Sequence, residues 1–298
     1  MTEEREDRRA RADKLVTDGR CDEAIILFEE LLAEQPHDES LLMSLAWALR
    51  DCGELSKSKK YFETLLEREL SRDVFSGFAY DELVRLLRDE GDHAGVIDLC
   101  ERTVARYPGD PDLFRTLGEE CLKAGTAGRA VEVFSILAEG DPGDAVLRLA
   151  LALALVAAGR CDEAEAAYRT ALSLEPSEIA PMASRWGDAC EERGLLERAV
   201  EGYREALRAC PTEPIYCCRL GDVLVKQDRT EEACDCYEQA VRLDPAGALQ
   251  YWNRLARSLG AAGRWREAAH FFSRALERDP NNPLILKALA EALLHIDR

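Results

Sequence analysis

Pro108, Pro142 and Pro176 stand 34 residues apart, and behind each runs the same order of small, aromatic and glycine positions. A chain with that period folds as one supersecondary unit stacked many times over, because a single unit cannot bury its apolar face alone. We number positions 1 to 34 by working back from each proline. Gly91, Gly125, Gly159, Gly194 and Gly263 fall at position 15, and Ala24, Ala130, Ala164, Ala199, Ala233 and Ala268 fall at position 20. Position 24 holds Phe28, Phe62, Phe134, Tyr168, Tyr203, Tyr237 and Phe272, and position 32 holds Pro36, Pro108, Pro142, Pro176, Pro211, Pro245 and Pro280.

Each position has a physical reason. Small residues at 8 and 20, such as Gly118 with Ala130 or Gly221 with Ala233, let two antiparallel helices approach closely. The aromatic at 24 buries a large apolar area under the next unit, so truncating Phe134 or Phe272 to Ala is expected to cost about 3 to 5 kcal/mol. Proline at 32 sits between helices, where its missing N–H does no harm and the residue before it is discouraged from staying helical.

A 34-residue period with small residues at 8 and 20, an aromatic at 24 and proline at 32 resembles the tetratricopeptide repeat. The clearest copy is Trp252, Leu255, Ala256, Leu259, Ala268, Phe272, Ala275 and Pro280. The resemblance implies an all-α fold, a right-handed superhelical solenoid of antiparallel helix pairs. We read one domain over residues 1–298 with units at 5–38, 39–76, 77–110, 111–144, 145–178, 180–213, 214–247 and 249–282, closed by a helix over 283–296. The second unit is irregular: it runs four residues long, lacks its proline, and carries Ser58 at position 20. A bend or loosening of the stack is expected there.

Composition narrows the function. A net charge of −19 argues against general affinity for nucleic acid or anionic membrane, which need a positive footprint. No apolar stretch reaches the ~20 residues of a membrane span, and the charged run over residues 1–14 lacks a signal-peptide core. The expectation is a cytoplasmic protein whose eleven cysteines are reduced thiols. The Cys210, Cys217, Cys218, Cys234 and Cys236 cluster lacks paired CxxC spacing, and Cys234 and Cys236 point about 160° apart on a helix, so we read small packing residues and no metal. His37, His93, His270 and His295 are scattered, and phosphate-loop, dinucleotide and nucleophile-elbow motifs are missing from the sequence. The chain is therefore read as noncatalytic, with no cofactor.

Function is then sought on the side of each first helix that faces away from its partner. Positions 4, 7, 8 and 11 point at the partner helix, and 2, 6, 9 and 13 lie opposite. The family resemblance implies that this opposite side lines a concave groove for extended or helical peptides. In the fifth unit those positions are Val146, Ala150, Leu153 and Ala157, flanked by Leu149 and Val156. Two readings stand open: cover from within the array, or an apolar seat for a partner. Position 6 of the next three units is Arg185, Arg219 and Arg254, with Lys226 and Arg257 beside them. They form a basic ladder able to hold a partner's acidic groups, unless Asp188 and Asp222, three residues after Arg185 and Arg219, satisfy those two within their own helices. Arg254 has Arg257 in that place and is expected to be free. The chaperone-tail clamp of some family members needs Lys and Asn at set positions over three consecutive units, and no three here carry it.

The final helix has a narrow polar stripe of Lys287, Glu291 and His295, and self-association through Leu286, Leu289, Leu293 and Ile296 is expected. The reading is a noncatalytic interaction scaffold or adaptor for a protein or peptide with an apolar anchor and acidic groups, with a homodimer through the last helix. A regulatory subunit or assembly chaperone of an enzyme complex is the alternative. A nucleic-acid-binding helical repeat is disfavoured by Asp112, Glu119, Asp188, Glu192 and Asp222 along the groove.

Overall fold

The structure is a computed structural model that describes residues 2–72 and 74–296. Among these residues the chain forms seventeen α-helices and no strand. They run α1 (Thr2–Thr17), α2 (Cys21–Glu34), α3 (Glu39–Asp51), α4 (Leu55–Arg72), α5 (Phe78–Asp89), α6 (His93–Arg106), α7 (Pro111–Lys123), α8 (Ala127–Gly140) and α9 (Ala145–Ala157). They continue as α10 (Cys161–Leu174), α11 (Ile179–Glu192), α12 (Leu196–Ala209), α13 (Pro214–Lys226), α14 (Thr230–Leu243), α15 (Ala248–Ala261), α16 (Trp265–Leu276) and α17 (Pro283–Ile296). The all-α fold matches the 34-residue reading, with odd-numbered first helices and even-numbered second helices. Two compact units divide the chain, Met1–Val133 and Phe134–Arg298.

Local chemistry sets the helix ends. Asp38, Asp110 and Asp144, two residues after the position 32 prolines, each accept a backbone N–H at the start of the following first helix. Such caps satisfy donors that have no partner within the helix. Position 15 is left-handed in every unit: Gly19, Gly53, Gly91, Gly125, Gly159, Gly194 and Gly263 have φ between 72° and 83°, and Asp228 takes 64° in the seventh. The extra residue after the fifth and seventh units is absorbed by short 3₁₀ turns, Pro176–Glu178 and Pro245–Gly247, that lead straight into α11 and α15.

In the first unit α1 packs on α2, α3 on α4 and α5 on α6. The surplus of the irregular second repeat lengthens α4 to 18 residues and the link after it. That link is pinned, because the Phe75 ring stacks on Tyr107 at 4.9 Å and meets Tyr80 edge-on at 5.9 Å. Ser58 at position 20 is fully buried and its hydroxyl donates to the Ala46 carbonyl at 2.8 Å, which makes a polar residue acceptable at a close helix crossing. Glu120 on α7 is likewise fully buried, its carboxylate held by Arg88 at 2.7 Å, His93 Nδ1 at 2.8 Å and Lys123 at 2.8 Å.

One expectation fails in this unit. Cys21 and Cys52 form a disulfide, with Cα atoms 5.6 Å apart. Stacking of successive repeats brings position 17 of the first against position 14 of the second, and both are cysteine. The other nine cysteines are free thiols.

In the second unit α9 packs on α10, α11 on α12, α13 on α14 and α15 on α16, while α9 touches α11 and α13 touches α15 along the row of first helices. Tyr168, Tyr203 and Tyr237 are among the largest fully buried side chains. Gly187 and Gly221 at position 8 lie under the tyrosine ring of their own repeat: an added Cβ would stand 2.7 Å from Tyr203 or Tyr237. The helix α17 closes the row against α16, with the His295 ring stacked on Trp265 at 4.0 Å.

Candidate partner-binding face

The side of α9 turned away from α10 carries the apolar positions singled out from the sequence. Val146 is 55% exposed, and Ala150, Leu153 and Ala157 are each partly exposed. Leu149 and Val156 are not part of this surface: each is 1% exposed, because these flanking positions turn into the packing between helices. The uncovered strip is therefore narrower than the sequence reading.

The basic residues next to it depart further from expectation. Arg219 does not pair with Asp222 in its own helix; it donates to Asp188 of the preceding repeat. Arg254 is not free either, since its Nε and Nη2 lie 2.8 and 2.7 Å from Asp222 Oδ2. Lys226 reaches back to Glu191 at 2.7 Å. In each case the partner sits one repeat earlier: position 9 of one first helix abuts position 6 of the next for the two arginines, and position 12 meets position 13 for Lys226. These three residues are structural ties and leave the candidate recognition set.

The aspartates serve a second donor. The Tyr203 hydroxyl lies 2.7 Å from Asp188 Oδ1 and 2.8 Å from Glu191 Oε2, and the Tyr237 hydroxyl donates to Asp222 Oδ1 at 2.7 Å. Burial first, and then the neighbouring carboxylates, push both phenols far above their ordinary pKa, so they remain donors. Burial works against the charge of Arg254, but Asp222 outweighs it and holds the guanidinium above its ordinary value.

The ladder stops at the fifth repeat. Position 9 there is Leu153, which accepts nothing. Tyr168 accordingly sends its hydroxyl elsewhere, to Glu205 Oε2 at 2.7 Å, and its ring stacks on Trp186 at 4.5 Å. Arg185, at position 6 of the sixth repeat, is exposed and makes no ion pair or hydrogen bond among the described residues. The exposed Arg257 has only a 3.4 Å contact to Asn253 Oδ1, and it lines a cleft of about 500 Å³ with Trp265, Phe272, Leu284 and Lys287.

One surface went unread in the sequence. In the first unit a cleft of about 530 Å³ is lined by Met43, Ser44, Trp47, Val74, Phe78 and Arg9, among others. Trp47 is position 9 of the second repeat and Phe78 is position 2 of the third, so the register used for the fifth repeat would have found them. On α17, Leu286 and Leu293 are exposed as expected, Leu289 and Ile296 are partly buried, and Leu284 and Leu294 are exposed as well. No helix among the described residues is long and apolar enough to cross a membrane.

Comparison with known proteins places these features. A family profile described as the tetratricopeptide repeat matches residues 149–214, 218–283 and 253–298. Among curated relatives, small glutamine-rich tetratricopeptide repeat-containing protein 2 of Mycosarcoma maydis is 30% identical over 92 residues, covering 31% of this chain and 26% of that protein. Human protein O-mannosyl-transferase TMTC1 is 26% identical over 215 residues, covering 70% of this chain and 24% of the relative. This chain thus spans about a quarter of the length of either. A solved tetratricopeptide repeat protein from Parabacteroides merdae superposes with a TM-score of 0.50 at 13% identity, covering 97% of this chain and 98% of the other, a likeness of fold.

Proposed function

Since this chain is a tetratricopeptide repeat protein, we propose that it is a noncatalytic scaffold that seats a partner's peptide or helix on the first-helix face of its second unit. The observation that carries this is the uncovered apolar strip of α9, Val146, Ala150, Leu153 and Ala157, lying open beside α11. An apolar strip left in water forgoes burial that a partner's apolar side chains would supply, at about 25 cal/mol per Å². The test is a photo-crosslinking amino acid at Ala150 of the full chain in source-cell lysate, with and without Leu153→Asp. A protein captured at Ala150 and lost with Leu153→Asp supports the seat. Capture indifferent to that substitution sinks it, provided circular dichroism shows the variant folded.

The exposed leucines of α17 favour a second contact, between two copies of the chain. Leu286→Glu with Leu293→Glu is expected to convert a dimer into a monomer in sedimentation equilibrium. A wild-type chain that sediments as a monomer at all concentrations removes this contact.

A further inference from the structure

We infer that the occupant of the α9 strip presents a carboxylate side chain, Asp or Glu, immediately beside its apolar anchor, and that Arg185 reads it; this rests on the seat proposed above. The second unit has three arginines in one register, Arg185, Arg219 and Arg254. Two of them face an aspartate at position 9 of the repeat before and are bound to it. By the same register, on the packed pair α9 and α11, the third stands opposite Leu153, a residue of the strip itself. The only carboxylate within its own helix at i+3, Asp188, is already engaged by Arg219 and Tyr203.

The consequence concerns the partner. Any segment laid over Leu153 also covers the guanidinium one repeat on, because positions 9 and 6 abut. Covering an unpaired guanidinium with apolar atoms strips its water and returns nothing, whereas a carboxylate restores a charge-assisted, bidentate pair. Complementarity of this kind rejects wrong partners more than it strengthens right ones. A purely apolar segment is therefore penalised on this strip, and one with an acid next to its anchor is favoured. The acidic determinant lies beside the apolar seat, not toward the eighth repeat, where Asp222 already occupies Arg254.

A randomised peptide library displayed on phage, with each peptide's C-terminus fused to the coat protein so that no terminal carboxylate is free, tests this against the full chain. Selection on wild type should enrich peptides in which Asp or Glu stands at one fixed spacing from an apolar residue. The same peptides should bind Arg185→Gln about tenfold or more weakly, with a flattened salt dependence, and bind Arg257→Gln unchanged. Selection on Arg185→Gln should keep the apolar residue and lose the acid. Wild-type peptides without an acid, or an acid preference that survives Arg185→Gln, overturn the inference while leaving the seat standing if Leu153→Asp still abolishes binding. Peptides indifferent to Leu153→Asp overturn both.

Discussion

The Tyr237 hydroxyl donates to Asp222 at 2.7 Å, and through the other oxygen of that carboxylate it is joined to Arg254 of the next repeat. One side chain thus closes its own helical hairpin and ties it to its neighbour. Two arginines at one repeat position, Arg254 and Arg185, should then differ. In urea denaturation Tyr237→Phe is expected to cost about 0.5 to 1.5 kcal/mol, and Asp222→Ala about 2 to 3 kcal/mol because it strands a buried hydroxyl and a charge together. Arg254→Gln, with its head partly in water, should cost about 1 kcal/mol. Arg185→Gln should lie within about 0.5 kcal/mol of wild type. Equal losses at Arg185 and Arg254 would contradict the ladder.

Position 15 separates backbone strain from packing. An added Cβ at Gly159 meets nothing within 4 Å, yet the residue sits at φ 78°. Gly159→Val should therefore cost about 1 to 2 kcal/mol from conformation alone. Asp228, at φ 64° in the same place, is the reverse experiment. Asp228→Gly should raise the midpoint or leave it unchanged, the relief of backbone strain offsetting the loss of its exposed tie to Arg264. A clear drop with Asp228→Gly would mean that the ion pair outweighs the backbone.

The contrast between Gly159 and Arg254 shows which parts of the molecule were legible in sequence. A left-handed turn, a close helix crossing at Gly221 or a buried ring at Tyr203 is dictated within one repeat, and the 34-residue register exposes all of them. The partner of Arg254 lies 32 residues back, at Asp222. Reasoning within the helix at i+3 and i+4 finds Arg257 and concludes that the charge is free. The same register, applied between repeats, pairs position 6 with position 9 and leaves only Arg185 beside Leu153. Leu149 and Val156 were misjudged for a related reason: a helix apolar all round gives no internal sign of which flank its neighbours cover. The Cys21–Cys52 bridge was missed because compartment reasoning stood in for geometry, although positions 17 and 14 of successive repeats meet.

Glu120 makes the first unit sensitive to acid. Burial raises its pKa, but Lys123, His93 and Arg88 together outweigh that and hold it below the ordinary carboxylate value. A group whose folded pKa is depressed contributes stability that is present above its unfolded pKa, near 4.5, and is lost as pH falls through the folded value. Stability of the wild type should thus fall on acidification below about pH 4.5, with a shallower fall in Glu120→Gln. At pH 7 that variant should already be weaker by about 1 to 3 kcal/mol, since the neutral amide of Gln cannot replace a carboxylate paired with Arg88 and Lys123. Parallel acid titrations of the two chains, followed by thermal midpoint, check this: an equally steep fall in Glu120→Gln would refute the assignment.

The Cys21–Cys52 disulfide closes a loop of 31 residues between the first and second repeats. Cross-linking removes closure entropy from the unfolded chain, about 3 to 4 kcal/mol for a loop of that length. The gain falls on the first unit, because repeat arrays are stabilised by their own hairpins and nearest neighbours and little by distant ones. Reductant should therefore lower an N-terminal melting transition and leave the one reported by Trp186 and Trp252 in the second unit in place. Cys52→Ser should reproduce the reduced midpoint and abolish the response to reductant. Hydrogen exchange on α1 and α2 gives the local readout: protection should drop there in reductant and hold on α13 and α14. A uniform loss across both units would mean that the bridge stabilises the array as one cooperative body.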